Sequence, residues 1–161
     1  MGKRKRDQGV TESGEKVVAT NRKARHLYEI LETHEAGIVL VGTEVKSLRE
    51  GGASIGDAFC MPKRGEMWLI NLHIGPYDRG NRFNHEPTRE RKLLLHRREI
   101  DRMAGAVSQK GLTLVPLRIH FKNRRAKVLI GVCRGKKAHD KRHAIRERDL
   151  KRTGEREFRR R

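Results

Sequence analysis

Apolar residues recur along this chain with two different periods, and each change of period marks an expected element. Ala24, Leu27, Tyr28 and Leu31 fall at helical spacing behind Thr20 or Asn21, either of which can cap a helix. Tyr28 and Ile30 also suit a strand leading into Gly37-Ile38-Val39-Leu40-Val41, so a short helix over 21–27 and then a long strand to Val41 are expected. A second helix, TEVKSLREG, starts after Gly42 with Thr43 as its cap, Val45 and Leu48 as its apolar stripe and Gly51-Gly52 as its end. Ile55 to Pro62 reads as a strand, Lys63 to Glu66 as a hairpin turn, and Met67 to Ile74 (MWLINLHI) as a second strand. The polar stretch from Gly75 to Pro87 is long for a structureless connection, and such loops are often functional.

Arg91 to Leu95 (RKLLL) is an apolar run expected to be extended. Ile100, Met103, Ala104 and Val107 then give i, i+3, i+4, i+7, an amphipathic helix that Gly111 can stop. In the following strand Leu117, Ile119 and Phe121 alternate with Arg118, His120 and Lys122. After a turn at Lys122 to Arg125, the residues Ala126, Val128, Ile130 and Val132 share one face, which predicts an antiparallel hairpin with a buried side. No βαβ alternation and no internal repeat is visible. Five or six strands with about three short helices are most economically buried as an OB-like antiparallel β-barrel, a mainly β fold of the α+β kind.

Charge adds two arms to that body. The chain has 161 residues and a formal net charge of +19, with a sequence pI of about 10.9. Residues 1–19 show no period and read as a disordered basic arm, and residues 20–134 as the barrel. Residues 135–161 form a basic tail of 12 Lys or Arg against 5 Asp or Glu. Its apolar residues larger than Ala are Ile145, Leu150 and Phe158, too few to offset the entropy of ordering it alone. Both arms call for a polyanion, and nucleic acid fits better than a membrane, since no stretch approaches the roughly 20 apolar residues that a span needs. MGKRKRDQG has a basic start without an apolar region behind it, so an intracellular, cytoplasmic protein is expected, and the high net charge argues for a monomer. Cys60 and Cys133 form no CxxC pair and read as reduced structural thiols.

Catalytic chemistry finds little support. GxSxG, Walker and GxGxxG patterns are absent, and the acids are scattered among basic neighbours without the clustered carboxylates that a metal-dependent nuclease needs. His139, His143 and Glu147 are spaced i, i+4, i+8 as in part of a zinc site, but they lie in the cationic tail, so no metal, no cofactor and no enzymatic activity is expected. With only 4 Phe, 2 Tyr and 1 Trp, a stacking platform for single strands is poorly supplied. Shape and backbone recognition of structured RNA is the better match to this charge and fold.

Three stretches narrow the reading further: NRKARHLYEILETHEAGIVLVGTEVKSLREG, GPYDRGNRFNHEPTRERKLLLHRREID and KVLIGVCRGKKAHDKR. In this order, over about Asn21 to Arg148, they resemble the SsrA-binding protein family, the partners of transfer-messenger RNA (tmRNA) in bacterial trans-translation. The resemblance implies an OB-like barrel that binds the tRNA-like domain of tmRNA and carries it to stalled ribosomes. It implies RNA contacts at Tyr28, Glu35, Leu94 and His96, with Asn21, Arg22, Arg25, Lys46 and Lys92 as further candidates in the matched stretches. It also implies a tail that enters the decoding centre of the small subunit and lies against its rRNA in the empty message channel, helical there, through Gly135, Lys136, Lys137, His139, Asp140, Lys141 and Arg142. Elongation factor Tu is the implied further partner, reached through the tmRNA complex. Thr153-Gly154 departs from the more continuous helix of relatives, because an interior Gly costs roughly 1 kcal/mol relative to Ala.

Overall fold

The computed structural model describes residues 15–137, 145–147 and 149–150. Among the described residues up to Lys137, nine strands and three α-helices follow one another as β1 (Lys16–Thr20), α1 (Arg22–Leu27), β2 (Tyr28–Ile38), α2 (Gly42–Arg49), β3 (Ala53–Ser54), β4 (Phe59–Lys63), β5 (Glu66–Ile70), β6 (His73–Ile74), β7 (Arg91–Leu94), α3 (Arg97–Lys110), β8 (Thr113–Lys122) and β9 (Arg125–Gly135). Hydrogen-bonded neighbours run β8-β4-β5-β7-β2-β9 and return to β8, with β1 added along β8 and every pairing antiparallel. The ring is closed at its narrowest by the single pair Cys60 and Leu114. Such closure leaves few strand edges open, which is why a mainly β chain of this size favours it.

Local chemistry accounts for the turns. Arg64 and Gly65 (φ 50° and 76°) and Asn123 and Arg124 (φ 50° and 62°) are consecutive left-handed pairs, the conformation that two-residue hairpins need to match strand twist. Gly111 (φ 61°) ends α3 in the same conformation.

Several expectations need correction. All but the last residue of β1 lies inside the stretch read as a disordered arm; its pairing with β8, a long-range effect, orders it. The strand expected to reach Val41 ends at Ile38. The strand expected from Met67 to Ile74 is broken at Asn71 (φ 57°), where the chain turns away from β5 to form β6. Thr43 does not cap α2: Glu44 Oε2 accepts from the Val41 N–H at 2.9 Å, and the Thr43 hydroxyl faces His85 Nδ1 instead.

Leu117 leaves the face of Ile119 and Phe121. A bulge between Pro116 and Arg118 turns it outward, where it packs with Ala24, Val115 and Cys133. His120, expected on a solvated face, is fully buried. The tail residues His139, Asp140, Lys141 and Arg142, the His143 part of the metal reading and the Thr153-Gly154 interruption lie outside the described residues. Ile145 to Glu147, Asp149 and Leu150 are helical.

Inside the ring, Met67, Leu69, Leu93, Met103, Leu114, Ile119, Val128 and Ile130 form the centre of one apolar cluster. At one end of it sits a buried ionic knot. Glu44 and Arg91 are both fully buried, and the Arg91 guanidinium meets Glu44 Oε1 at 2.8 Å. Arg89 closes the other side, with Nε 2.8 Å from Oε1 and Nη2 2.6 Å from Oε2. Arg91 also donates to the carbonyls of Leu72 and Pro87. Burial alone would raise the Glu44 pKa, but the Arg89 hydrogen bond, the Val41 N–H and the Arg91 charge outweigh it and hold the carboxyl below its ordinary range.

This lowered pKa makes the knot an acid-sensitive clamp. Its stabilisation is present above the ordinary carboxylate range and is lost as pH falls through the lowered pKa of Glu44. Glu44→Gln should cost about 3–5 kcal/mol at neutral pH, because it leaves two guanidinium groups short of their counter-charge. Urea unfolding at pH 7 and across the acid range checks this. The variant should show a lower midpoint at neutral pH and a smaller further loss of stability in acid than the parent.

Candidate RNA interface

β2 sits between β7 and β9, so its outward side chains form the middle of a three-strand surface. Ala36 and Ile38 point into the core, which leaves Glu35 and Gly37 on the outer face. Gly37 pairs with Leu94 of β7 on one side and Lys127 of β9 on the other. A Cβ at position 37 would stand 3.2 Å from the Leu94 Cβ, so the glycine lets the leucine lie across the strand. Leu94 remains 54 % exposed, an apolar side chain displayed beside cations.

Glu35 is held by groups from the neighbouring hairpin. Its Oε2 lies 3.1 Å from Nε2 of the buried His120 and 3.6 Å from Nζ of Lys122. An ionised carboxylate only accepts, so His120 Nε2 is the donor in this pair. Burial pushes the Glu35 pKa up, but the His120 hydrogen bond and the charges of Lys122 and Lys127 bring it below the ordinary range. Glu35 is therefore a fixed, ionised acceptor surrounded by positive charge. Such a group can accept from base amino groups, as carboxylates do at cytosine edges.

Glu15 completes this cluster, and its carboxylate lies with those of Glu35 and the His120 ring so that one ligand atom from each falls within 4.8 Å. The scattered acids of the sequence thus do meet in space. Lys122 stands 3.6 Å from both carboxylates and Arg118 3.4 Å from Glu15. Those cations already neutralise the carboxylates, so the arrangement is an ion-pair network rather than a cation site.

Tyr28 begins the same strand at its far end, where it packs on Ala24, Val115, Leu117 and Cys133 together with Ile30 and Leu129. Bulges in β2, at Leu31, and in β8 turn this apolar set onto the outer face, under α1. Asn21 fixes α1: its Oδ1 accepts from the Ala24 N–H at 3.1 Å, and its Nδ2 donates to the Pro116 carbonyl at 3.2 Å. It is buried, so this side chain organises the surface rather than being displayed on it. Arg22 and Arg25 are exposed on α1. Lys136 donates its N–H to the Leu27 carbonyl and its Nζ to the Arg25 carbonyl, both at 3.0 Å. The tail therefore departs beside α1, with Gly135 and Lys137 exposed there.

The remaining candidates are more scattered. Lys92 flanks Leu94 on β7 and is ion-paired with Glu66. His96 is exposed at the start of α3, where its N–H donates to Glu99 Oε2 at 3.0 Å. Lys46 lies apart, on α2, with its Nζ 5.4 Å from the Tyr77 ring. Sequence reasoning missed His120, Lys122 and Lys127. The register of the predicted hairpin carries the signal for all three, since His120 pairs with Lys127 and Lys122 with Arg125. Cys60 and Cys133 are buried thiols without a disulfide, and burial pushes the Cys133 pKa up to about 11.

A family model described as "SmpB protein" matches residues 18–160. The chain belongs to the SmpB family. Similar members include the SsrA-binding protein of Sulfurihydrogenibium sp. (strain YO3AOP1), 56% identical over 144 residues that cover 89% of this chain and 95% of the relative. That of Mycolicibacterium vanbaalenii is 55% identical over 157 residues, or 98% of this chain and 95% of the relative. A solved SmpB-family chain described as "tmRNA-SmpB: a journey to the center of the bacterial ribosome" is similar with a TM-score of 0.65 and 55% identity, over 80% of this chain and 94% of that one. The OB-like reading of the fold and the family resemblance of the sequence are thus both borne out. No described helix is long and apolar enough to cross a membrane.

Asn21 separates framework from interface within this family surface. Asn21→Ala removes the α1 cap and two buried donor contacts, and should cost about 1–2 kcal/mol in thermal unfolding. RNA affinity measured well below the variant's melting temperature should change less than twofold to threefold, an estimate that follows from leaving every exposed cation in place.

Proposed function

We propose that this chain is an RNA-binding adaptor that takes the tRNA-like domain of tmRNA to ribosomes stalled for lack of a stop codon, rather than an enzyme. The observation that carries the reading is the outer face of β7-β2-β9. There an oriented carboxylate, Glu35, with Lys122 at 3.6 Å, shares the face with an exposed leucine, Leu94, and with Lys127. A surface meant only for generic polyanion binding gains nothing from an acid held in its centre. Family membership and the solved relative described with tmRNA and the ribosome support the same partner. Tyr28, Arg22 and Arg25 extend this interface, and Asn21 holds α1 in place for them.

The division of labour follows the charge. Residues 20–134 select the RNA, and residues 135–161 enter the decoding centre and the empty message channel of the small subunit, against its rRNA. Residues 1–19 add a basic arm whose final part is β1. Gly135, Lys136 and Lys137 begin the tail against α1, and His139, Asp140, Lys141 and Arg142 continue it. Contact with elongation factor Tu comes through the tmRNA complex, and the setting is the cytoplasm, where the chain works as a monomer.

Deleting residues 138–161 tests this division in a reconstituted system with tmRNA and ribosomes stalled on truncated messages. Binding to the tRNA-like domain should stay within a few-fold of the full chain, while peptide tagging falls to background. Normal tagging by the truncated protein would refute the role of the tail. On the body, Leu94→Asp should weaken binding to that RNA by roughly tenfold or more, because it sets a second carboxylate against phosphate without disturbing the core. An unchanged dissociation constant would remove the outer face from the interface.

A further inference from the structure

The loop between β6 and β7 is the longest connection in the described residues, and its chemistry is not used by the outer face. It is built rather than slack. Asn84 accepts from the Tyr77 N–H at 2.8 Å and donates to the Tyr77 carbonyl at 3.0 Å. The His85 ring bridges the Ile74 carbonyl, at 2.9 Å, and the Thr43 hydroxyl, at 3.0 Å. Ser47 of α2 donates to the Gly75 carbonyl at 2.7 Å. These bonds fasten the loop to α2 from both ends.

On this rigid support stands Phe83, 74 % exposed. A large ring so displayed forgoes its burial energy, so packing does not explain it. Arg82 lies over the ring at 5.0 Å from its centroid, and the remaining exposure leaves the rest of the ring open. Beside it runs an open groove of about 500 Å³, whose walls include Val41, Gly42, Lys46, Phe83 and His85. The groove is large enough for a nucleobase, its walls offer an aromatic ring and an exposed valine, and Lys46 and Arg82 supply positive charge at its margin. Glu86 also lines it, and Arg89 does so with its charge engaged by Glu44.

We propose that this groove holds one unpaired nucleotide of RNA, its base stacked on Phe83 and its phosphate neutralised by Lys46 and Arg82. The combination of a stacking ring with cations at its edge is the general means of holding single-stranded nucleotides without reading their sequence. A protein partner is less well matched, because the apolar area is one ring and one valine, far short of the anchored core that a stable protein interface needs. The inference rests on the RNA-binding reading and adds a contact on α2 and the 75–89 loop, outside the β7-β2-β9 face. The nucleotide comes either from tmRNA or from ribosomal RNA.

The test measures dissociation constants of the full chain and of Phe83→Ala, Phe83→Leu and Phe83→Trp at fixed salt. The probes are the isolated tRNA-like domain and vacant small ribosomal subunits. Phe83→Ala and Phe83→Leu should each weaken binding to one of these RNAs by about 5- to 150-fold, the range for loss of one stacked base. Phe83→Trp should keep the affinity and show its emission quenched by the same RNA, beyond any change in the parent's Trp68. The affected probe identifies the source of the nucleotide. Equal affinity of Phe83→Ala and parent for both probes would overturn the groove, and so would a Phe83→Leu that binds like the parent. Those results leave the adaptor reading intact if Leu94→Asp still loses binding. A parent that binds the tRNA-like domain no better than an unrelated hairpin would instead fail the adaptor reading, and Phe83→Ala would still decide the groove on whichever RNA is bound.

Discussion

The buried contact of Glu44 with Arg91 and Arg89 is the constraint on which the working surfaces depend. It joins α2 to the start of β7 and, through the carbonyls of Leu72 and Pro87, to the turn before β6 and the end of the loop that follows it. With Arg91 turned inward, strand alternation turns Lys92 and Leu94 outward, one of them onto the centre of the candidate interface. With Glu44 turned inward at the first turn of α2, Lys46 is left exposed on that helix beside the groove. Apolar residues of similar size could fill the same space, but they would not reach the carbonyls that the two guanidinium groups satisfy. The knot fixes geometry as well as holding the fold.

Charge in this protein is divided by function. The two arms, residues 1–19 and 135–161, carry +9 of the +19 net charge, and they favour any polyanion at a strength that salt controls. Within the body, acids are matched: Glu15 and Glu35 by Arg118, Lys122 and His120, and Glu44 by two arginines. Matched charge contributes little long-range attraction but holds donors and acceptors in place.

Most of the barrel was legible because period-two alternation reports burial directly. The β8-β9 hairpin is the best instance, with Val128, Ile130 and Val132 all in the core as their spacing predicts. Legibility failed where one extra residue changed the side of the sheet. The bulge at Leu117 moved that residue to the outer cluster, and the local sign of it is Pro116, since a proline inside a paired strand is confined to edges and bulges. His120 was misread for a related reason, since it does face outward but is buried beside Glu35 of β2 and Glu15, the residue before β1, both distant in sequence. β1 was hidden because its order comes from pairing with β8, about a hundred residues away, and its five residues KVVAT are too few to show a period.

The site was legible chiefly through motif order rather than chemistry. Glu35 has no electrostatic rationale in sequence, and its orientation by His120 is visible only in three dimensions. The exposed phenylalanine ran against the expectation from composition, which counted too few aromatic residues for a stacking platform; one well-placed ring suffices for one base. The account turns on whether the barrel selects its RNA by shape and oriented groups or merely by charge. Competition between the tRNA-like domain and an unrelated hairpin of equal length for the full chain, repeated across a salt series, measures this directly. The account predicts a preference of about tenfold or more that persists as salt rises and both affinities fall. Equal competition at every salt concentration would contradict it.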